Sequence, residues 1–102
     1  MMQRVTFVRY TAKADRAAEN ESLSRAVFAE LRDSKPSSVA YALFRNGVDF
    51  VHVFINMVSE DSTVLTDLPS FKAFSKEAAE RQLGAPEIIR LDLNLIDTYG
   101  FH

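Results

Sequence analysis

The sequence predicts an α+β domain: a four-stranded antiparallel sheet with two helices on one face. Three observations carry this prediction. Four segments have the composition of strands, two have helical periodicity, and an Asn-Gly dipeptide joins the middle strands as a hairpin. The 102 residues fit one domain, 1–102, with no length to spare for a second.

Val5-Thr6-Phe7-Val8-Arg9-Tyr10 is β-branched and aromatic and opens the chain as a strand. Asp15 is placed to N-cap a helix running to about Asp33. In it Leu23, Val27 and Leu31 recur at i, i+4 and i+8, with Ala26 and Phe28 widening the apolar stripe. Ser34-Lys35-Pro36 ends it, because a residue before proline is pushed out of the right-handed α region. Val39–Arg45 and Val48–Ile55 form the hairpin around Asn46-Gly47, a type I′ signature. Ser59 to Asp67 is polar, with room for a short helical turn. Pro69 then sits where helices accept proline, next to a cap at Asp67 or Leu68. Phe71, Phe74 and Ala78 form the stripe of this second helix, and Gly84-Ala85-Pro86 stops it. Ile88–Thr98 alternates as a last strand, with Ile89, Leu91, Leu93 and Leu95 against Arg90, Asp92 and Asn94. The order is βαββαβ, which right-handed crossovers fold into a ferredoxin-like sheet with both helices on one side.

Composition removes several functions. The net charge is −2 with the signs mixed along the chain, so no basic stripe exists for nucleic acid. Cysteine is absent, which excludes disulfides, thiolate catalysis and thiolate metal sites, and a reducing cytoplasm is the expected location. No apolar run approaches the ~20 residues of a membrane helix, and the N-terminus lacks the apolar core of a signal peptide. Only His52 and His102 are histidines, and the carboxylates lack ligand spacing, so no metal is expected. The three glycines are too far apart for a phosphate loop. Gly47-Val48-Asp49-Phe50-Val51-His52-Val53 echoes the aromatic strand of RNA-recognition domains at Gly47, Phe50 and Val51. Asn46, Val48 and Asp49 break that pattern, and RNA is rejected.

A two-residue loop at Asn46-Gly47 sets Tyr41 opposite His52 and Leu43 opposite Phe50. One face then carries Val39, Tyr41, Leu43, Phe50, His52 and Phe54, and the other Ala40, Ala42, Phe44, Val51, Val53 and Ile55. The second set is small and β-branched, and with Ile89, Leu91, Leu93 and Leu95 is expected beneath the helices. The first set is aromatic and is expected to face away from them, joined by Arg90, Asp92 and Asn94. Thr6, Val8 and Tyr10 are placed there too, with Val5, Phe7 and Arg9 the alternative. A mainly apolar sheet face of about 300 Å² needs cover, and a second copy related by two-fold symmetry is the simplest.

The chain resembles the dimeric α+β barrel superfamily, which includes the antibiotic-biosynthesis-monooxygenase-like proteins. The resemblance rests on the element order, Arg9-Tyr10-Thr11-Ala12-Lys13-Ala14-Asp15 at the exit of the first strand, Phe28-Ala29-Glu30-Leu31-Arg32 ending the first helix, and Leu68-Pro69-Ser70-Phe71 opening the second. Asp97-Thr98-Tyr99-Gly100 resembles the way such chains finish. It implies a homodimer with a small-ligand pocket and, among known activities, cofactor-free oxygenation of aromatic polyketides. Haem breakdown is not implied. The first-strand asparagine of haem-degrading members falls at Val8, tryptophan is missing, and the second helix holds no histidine.

His52 is the one histidine inside a predicted element. With Tyr41 it could take a proton from a phenol or enol and hold the anion; the alternative is a half-buried histidine bonded to Tyr41 or to a partner subunit. Arg90 and Asn94 could stabilise oxyanion charge or simply guard a sheet edge. Phe50 and Phe54 could wall a pocket or pack a core or dimer, and Tyr10 joins the substrate contacts. Two functions stay open. One is a homodimeric, cofactor-independent monooxygenase-like enzyme for an aromatic or polyketide-like substrate; the other is a non-catalytic ligand-binding or interaction module. A cavity of at least ~300 Å³ favours a ligand.

Overall fold

The computed structural model describes residues 2–57 and 63–100. Its strands are β1 (Gln3–Thr11), β2 (Val39–Asn46), β3 (Asp49–Asn56) and β4 (Glu87–Leu93). Its helices are α1 (Ala17–Ser34), α2 (Pro69–Lys76) and α3 (Ala78–Arg81). The sheet is antiparallel in the order β2-β3-β1-β4, a ferredoxin-like arrangement with the helices on one face. Part of the expected turn between Ser59 and Asp67 lies outside the described residues. Beyond it, Asp67 N–H donates to the Thr63 carbonyl at 2.9 Å, closing one turn.

Local chemistry moves several boundaries. A 3₁₀ turn at Ala14–Arg16 precedes α1, so Asp15 lies inside that turn and Arg16 takes the N-cap position without a side-chain bond. At the other end Lys35 enters the left-handed region (φ 49°, ψ 52°), and its N–H closes onto the Leu31 carbonyl at 2.8 Å. Pro36 bars Lys35 from continuing the helix, and a left-handed cap is the exit it takes. The second helical segment breaks at Glu77 (φ −126°), giving α2 and α3 in place of one helix. The α2 start has no cap of its own; Glu30 of α1 accepts from Ser70 N–H at 2.9 Å and Ser70 Oγ at 2.6 Å. These two bonds hold the Glu30 carboxyl below its usual range. β4 ends at Leu93, short of Thr98.

The hairpin register differs by two residues from the expected one. Asn46 pairs with Asp49, and the turn residues are Gly47 and Val48. Gly47 has φ 63° while Val48 is not left-handed, which is the sign pattern of type II′, with glycine first. A two-residue shift preserves faces, so the residue groupings survive.

Their orientation is reversed. Thr6, Tyr10, Phe50, His52 and Asn56 are buried beneath the helices, whereas Phe7, Phe44, Ile89, Leu91 and Leu93 are exposed on the outer face. The cause lies in α1. Its innermost residues are Ala17, Asn20, Ser24 and Val27; of the expected stripe Val27 is buried, Leu23 and Leu31 are half-buried, and Ala26 is exposed. Buried Asn20 needs hydrogen-bond partners, which Tyr10 supplies and the greasier face cannot. The residues with hydrogen-bonding needs therefore determine which face the helices cover.

Candidate functional site

Between the sheet and α2–α3 lies a cavity of about 660 Å³. Val8, Tyr10, His52 and Phe54 line it from the sheet, and Phe71, Phe74 and Ala78 from the helices. Arg90 stands at its edge, where a second cavity of about 290 Å³ begins; that one is lined in part by Thr6, Asn56 and Thr66. The walls are mainly apolar and aromatic, and among the described residues Arg90 is the only charged one lining the larger cavity.

His52 sits on β3, between the strands that bear Tyr10 and Tyr41. Its cross-strand neighbours are Val8 and Leu43, so both tyrosines reach it diagonally. Tyr10 Oη lies 2.8 Å from His52 Nε2, and Tyr41 Oη lies 2.5 Å from His52 Nδ1. The rings also stack: Tyr10 and Tyr41 are 5.4 Å and 5.8 Å from the imidazole.

The polar chain continues inward. Asn20 Nδ2 donates to Tyr10 Oη at 2.7 Å, and Arg81 Nε donates to Asn20 Oδ1 at 3.1 Å. Arg81 also donates through Nη2 to the Phe74 carbonyl at 2.6 Å, and its guanidinium lies 4.9 Å from the Phe74 ring centre. It is only 1% exposed and forms no ion pair among the described residues. No buried side-chain nitrogen or oxygen among the described residues lacks a partner.

Burial sets the titration of this chain. Desolvation pulls His52 down to about 4, so it is neutral at pH 7. It pushes the Tyr41 phenol up, with help from neighbouring Tyr10. Tyr10 also rises through burial, against the opposing pull of the Asn20 hydrogen bond and the Arg81 charge.

The residues expected to form the site are thus only partly together. Tyr10, His52, Phe54 and Arg90 share the larger cavity. Tyr41 bonds His52 but borders a separate groove of about 200 Å³ beside Phe28, Leu31 and Arg32. Phe50 is fully buried, stacked on Tyr10 at 5.5 Å, and lines none of these cavities. Asn94 lies beyond β4, exposed, and lines none of these cavities. Asp92, its neighbour in the pattern, is held by Arg4 at 3.0 Å. Asn20 and Arg81 are the residues that sequence reasoning missed. For Asn20 the signal was a polar residue three and seven positions from Ala17 and Val27 on one helical stripe.

No family model matches the chain, and no curated protein matches it. Solved structures do. Rv0793 from Mycobacterium tuberculosis aligns with a TM-score of 0.79 over 95% of this chain and 99% of that one, at 13% identity. A proposed antibiotic biosynthesis monooxygenase from Caulobacter crescentus CB15 gives 0.78, covering 92% of each chain at 18% identity. The chain has the fold of the antibiotic biosynthesis monooxygenase-like proteins. SnoaB, a cofactor-independent oxygenase from Streptomyces nogalater, shares this fold with a TM-score of 0.69 over 99% and 100% of the two chains, at 13% identity. At these identities the likeness is one of fold. Within this monooxygenase-like fold, no group of histidine and carboxylate side chains among the described residues could hold a metal, and no helix among them is long and apolar enough to cross a membrane.

Proposed function

We propose that this protein is a cytoplasmic homodimeric α+β barrel that binds a small aromatic or polyketide-like molecule and oxygenates it without a cofactor. The observation that carries the reading is the 660 Å³ aromatic-walled cavity with Tyr10 and His52 set into it. That volume is about twice the least a ligand site needs. The reaction that fits converts an activated ring methylene and O₂ into a carbonyl and water. Its first step is loss of the hydroxyl proton of that ring's enol tautomer, which leaves an enolate for O₂ to attack at carbon. Tyr10 lines the cavity and takes that proton, passing its own to neutral His52; Arg90 faces the developing oxyanion. The base therefore acts through Tyr10 rather than directly.

The homodimer rests on the outer face of the sheet, where Phe44, Leu91 and Leu93 are 60%, 51% and 44% exposed. Exposed apolar side chains gathered on one sheet face mark an interaction site, and a second copy related by two-fold symmetry is the simplest cover for it. A non-catalytic ligand-binding module is the second reading. It is favoured by one observation: both nitrogens of His52 are already engaged by tyrosines.

Two measurements on a hydroxylated tricyclic anthrone separate these readings. Fluorescence quenching reads binding, and an oxygen electrode reads O₂ uptake in the presence of a chelator with no flavin or haem added. Binding with uptake that falls at least tenfold in H52Q supports the enzyme. Binding without uptake supports the module, and no binding at millimolar ligand overturns both.

A further inference from the structure

We infer that Arg81 and Asn20 are positioning residues that hold His52 as its Nδ1–H tautomer and give the buried chain Arg81–Asn20–Tyr10–His52–Tyr41 one direction, from the cavity toward Tyr41. The inference starts from the one group whose role cannot change. A guanidinium only donates, so Asn20 must present Oδ1 to Arg81 and Nδ2 to Tyr10. Tyr10 Oη accepts that bond, and its own hydrogen then goes to His52 Nε2, 2.8 Å away. A neutral imidazole that accepts at Nε2 donates at Nδ1, and the acceptor there is Tyr41 Oη. Tyr41's own hydrogen is left at the half-buried end, beside the groove under α1, where water can take it.

The opposite polarity is disfavoured twice. It would leave the hydrogen of Tyr10, 6% exposed, without an acceptor in an apolar cavity. It would also turn the positive ends of the Tyr10 and His52 dipoles toward the buried charge of Arg81, in surroundings where dipoles are weakly screened. The network thus carries a direction as well as satisfying its members.

Resting on the proposed function, this direction assigns a route for the substrate's proton. A hydroxyl hydrogen from a phenol or enol goes to the free lone pair of Tyr10 Oη as Tyr10's hydrogen moves to His52 Nε2. The Nδ1 hydrogen moves to Tyr41, and Tyr41 releases its own to water. The substrate is left as an anion, water gains the proton, and no residue ends charged. His52 finishes as the Nε2–H tautomer and must be reset. The substrate class this favours is a hydroxyl donor, not a methyl ether.

Long-range ¹H–¹⁵N correlation spectra of protein labelled at histidine nitrogen read the tautomer without any ligand. The His52 signals are assigned by their loss in H52Q. At pH 7 the wild-type ring is expected to show a single deshielded, unprotonated nitrogen at Nε2; finding it at Nδ1 overturns the inference. Asn20→Asp is nearly isosteric but only accepts, so Tyr10 turns its hydrogen to Asp and accepts from His52. The deshielded nitrogen is then expected to move to Nδ1, and an unchanged pattern in a folded N20D protein removes Asn20 and Arg81 from the positioning role. Tyr41→Phe keeps the Arg81 end intact and is expected to retain Nδ1–H. A reversed tautomer in Y41F would show that Tyr41 sets the direction, and decides the point even where N20D does not fold. None of these spectra depends on a bound anthrone, so failure of the ligand reading and failure of the tautomer assignment are separable.

Discussion

Lowering the pH from 7 to 5 is expected to remove about 2 kcal/mol of folding free energy through His52 alone. Burial holds the folded imidazole near pKa 4, against 6.5 for an exposed histidine. The unfolded chain therefore binds a proton first as pH falls, and stability is lost from about 6.5 down to about 4. Below that both states are protonated, and the total loss levels off near about 3 kcal/mol. Among the described residues, Glu19, Glu21, Glu30 and Asp92 are shifted below the usual carboxylate values and lose their contribution only in more acid solution, outside the window from 6.5 to 5. Urea unfolding at fixed protein concentration, at half-unit pH steps, measures the slope. A 2 kcal/mol loss shifts the midpoint by about 1 M for a domain of this size. His52→Gln is expected to be less stable at pH 7, since no glutamine reaches both tyrosines as imidazole does, yet nearly flat from pH 6.5 to 5. Equal slopes in the two proteins would refute the buried neutral histidine.

Four further outcomes follow from the geometry. Leu91→Asp, on the open outer face, is expected to halve the mass seen by sedimentation equilibrium from twice 11.5 kDa to a single 11.5 kDa chain; an unaltered mass removes that face from the interface. Ala78→Trp fills the larger cavity from its helical wall and is expected to weaken anthrone binding at least tenfold, read by quenching, while the circular dichroism stays that of the folded protein. Gly47→Ala is expected to cost about 1–2 kcal/mol in urea unfolding because position 47 has φ 63°. Asn46→Thr is expected to change little, as Asn46 is extended and paired with Asp49; a large loss at 46 with none at 47 would restore the type I′ register. Lys35→Gly relieves a left-handed lysine and is expected to raise stability by up to about 1 kcal/mol in the same assay.

Element order and face membership were legible because both depend on local periodicity. The strand period of two places Tyr10, Tyr41, His52 and Phe54 together whatever the register, and a slip of two residues at Gly47 leaves that unchanged. Which face the helices cover was not legible from apolar content. By that measure Val51, Val53, Ile55, Leu91 and Leu93 outrank the set bearing Thr6, His52 and Asn56. The deciding residues are Asn20 and Arg81, far apart in sequence, and their need for partners is visible only once α1 and α3 come together over β1. Asn94 was misplaced for a simpler reason: alternation continues through Leu95, but the pairing with β1 stops at Leu93, opposite Gln3. Glu77, where the second helical segment breaks, carries no proline or glycine signal.

The buried network is itself an argument about function. A core of this size is most stable when filled with aliphatic side chains, and burying an arginine without a carboxylate carries a large desolvation cost. Here Arg81, Asn20, Tyr10 and His52 occupy that interior with every polar atom satisfied, while the more apolar residues of the sheet face outward. Packing alone would exchange the two faces. Fixing the orientation of a single histidine next to a cavity does require such a network, since each member is held by the one behind it and the last in line is a charge that cannot be lost. Groups with perturbed titration that converge on a pocket are candidates for sites of chemistry. Replacing Arg81 with methionine and Asn20 with leucine together separates the two roles. If the network serves chemistry, the double variant is expected to fold at least as stably as the wild type by urea unfolding, while anthrone-dependent O₂ uptake falls at least tenfold. If it serves only stability, unfolding is easier and uptake per folded molecule is unchanged.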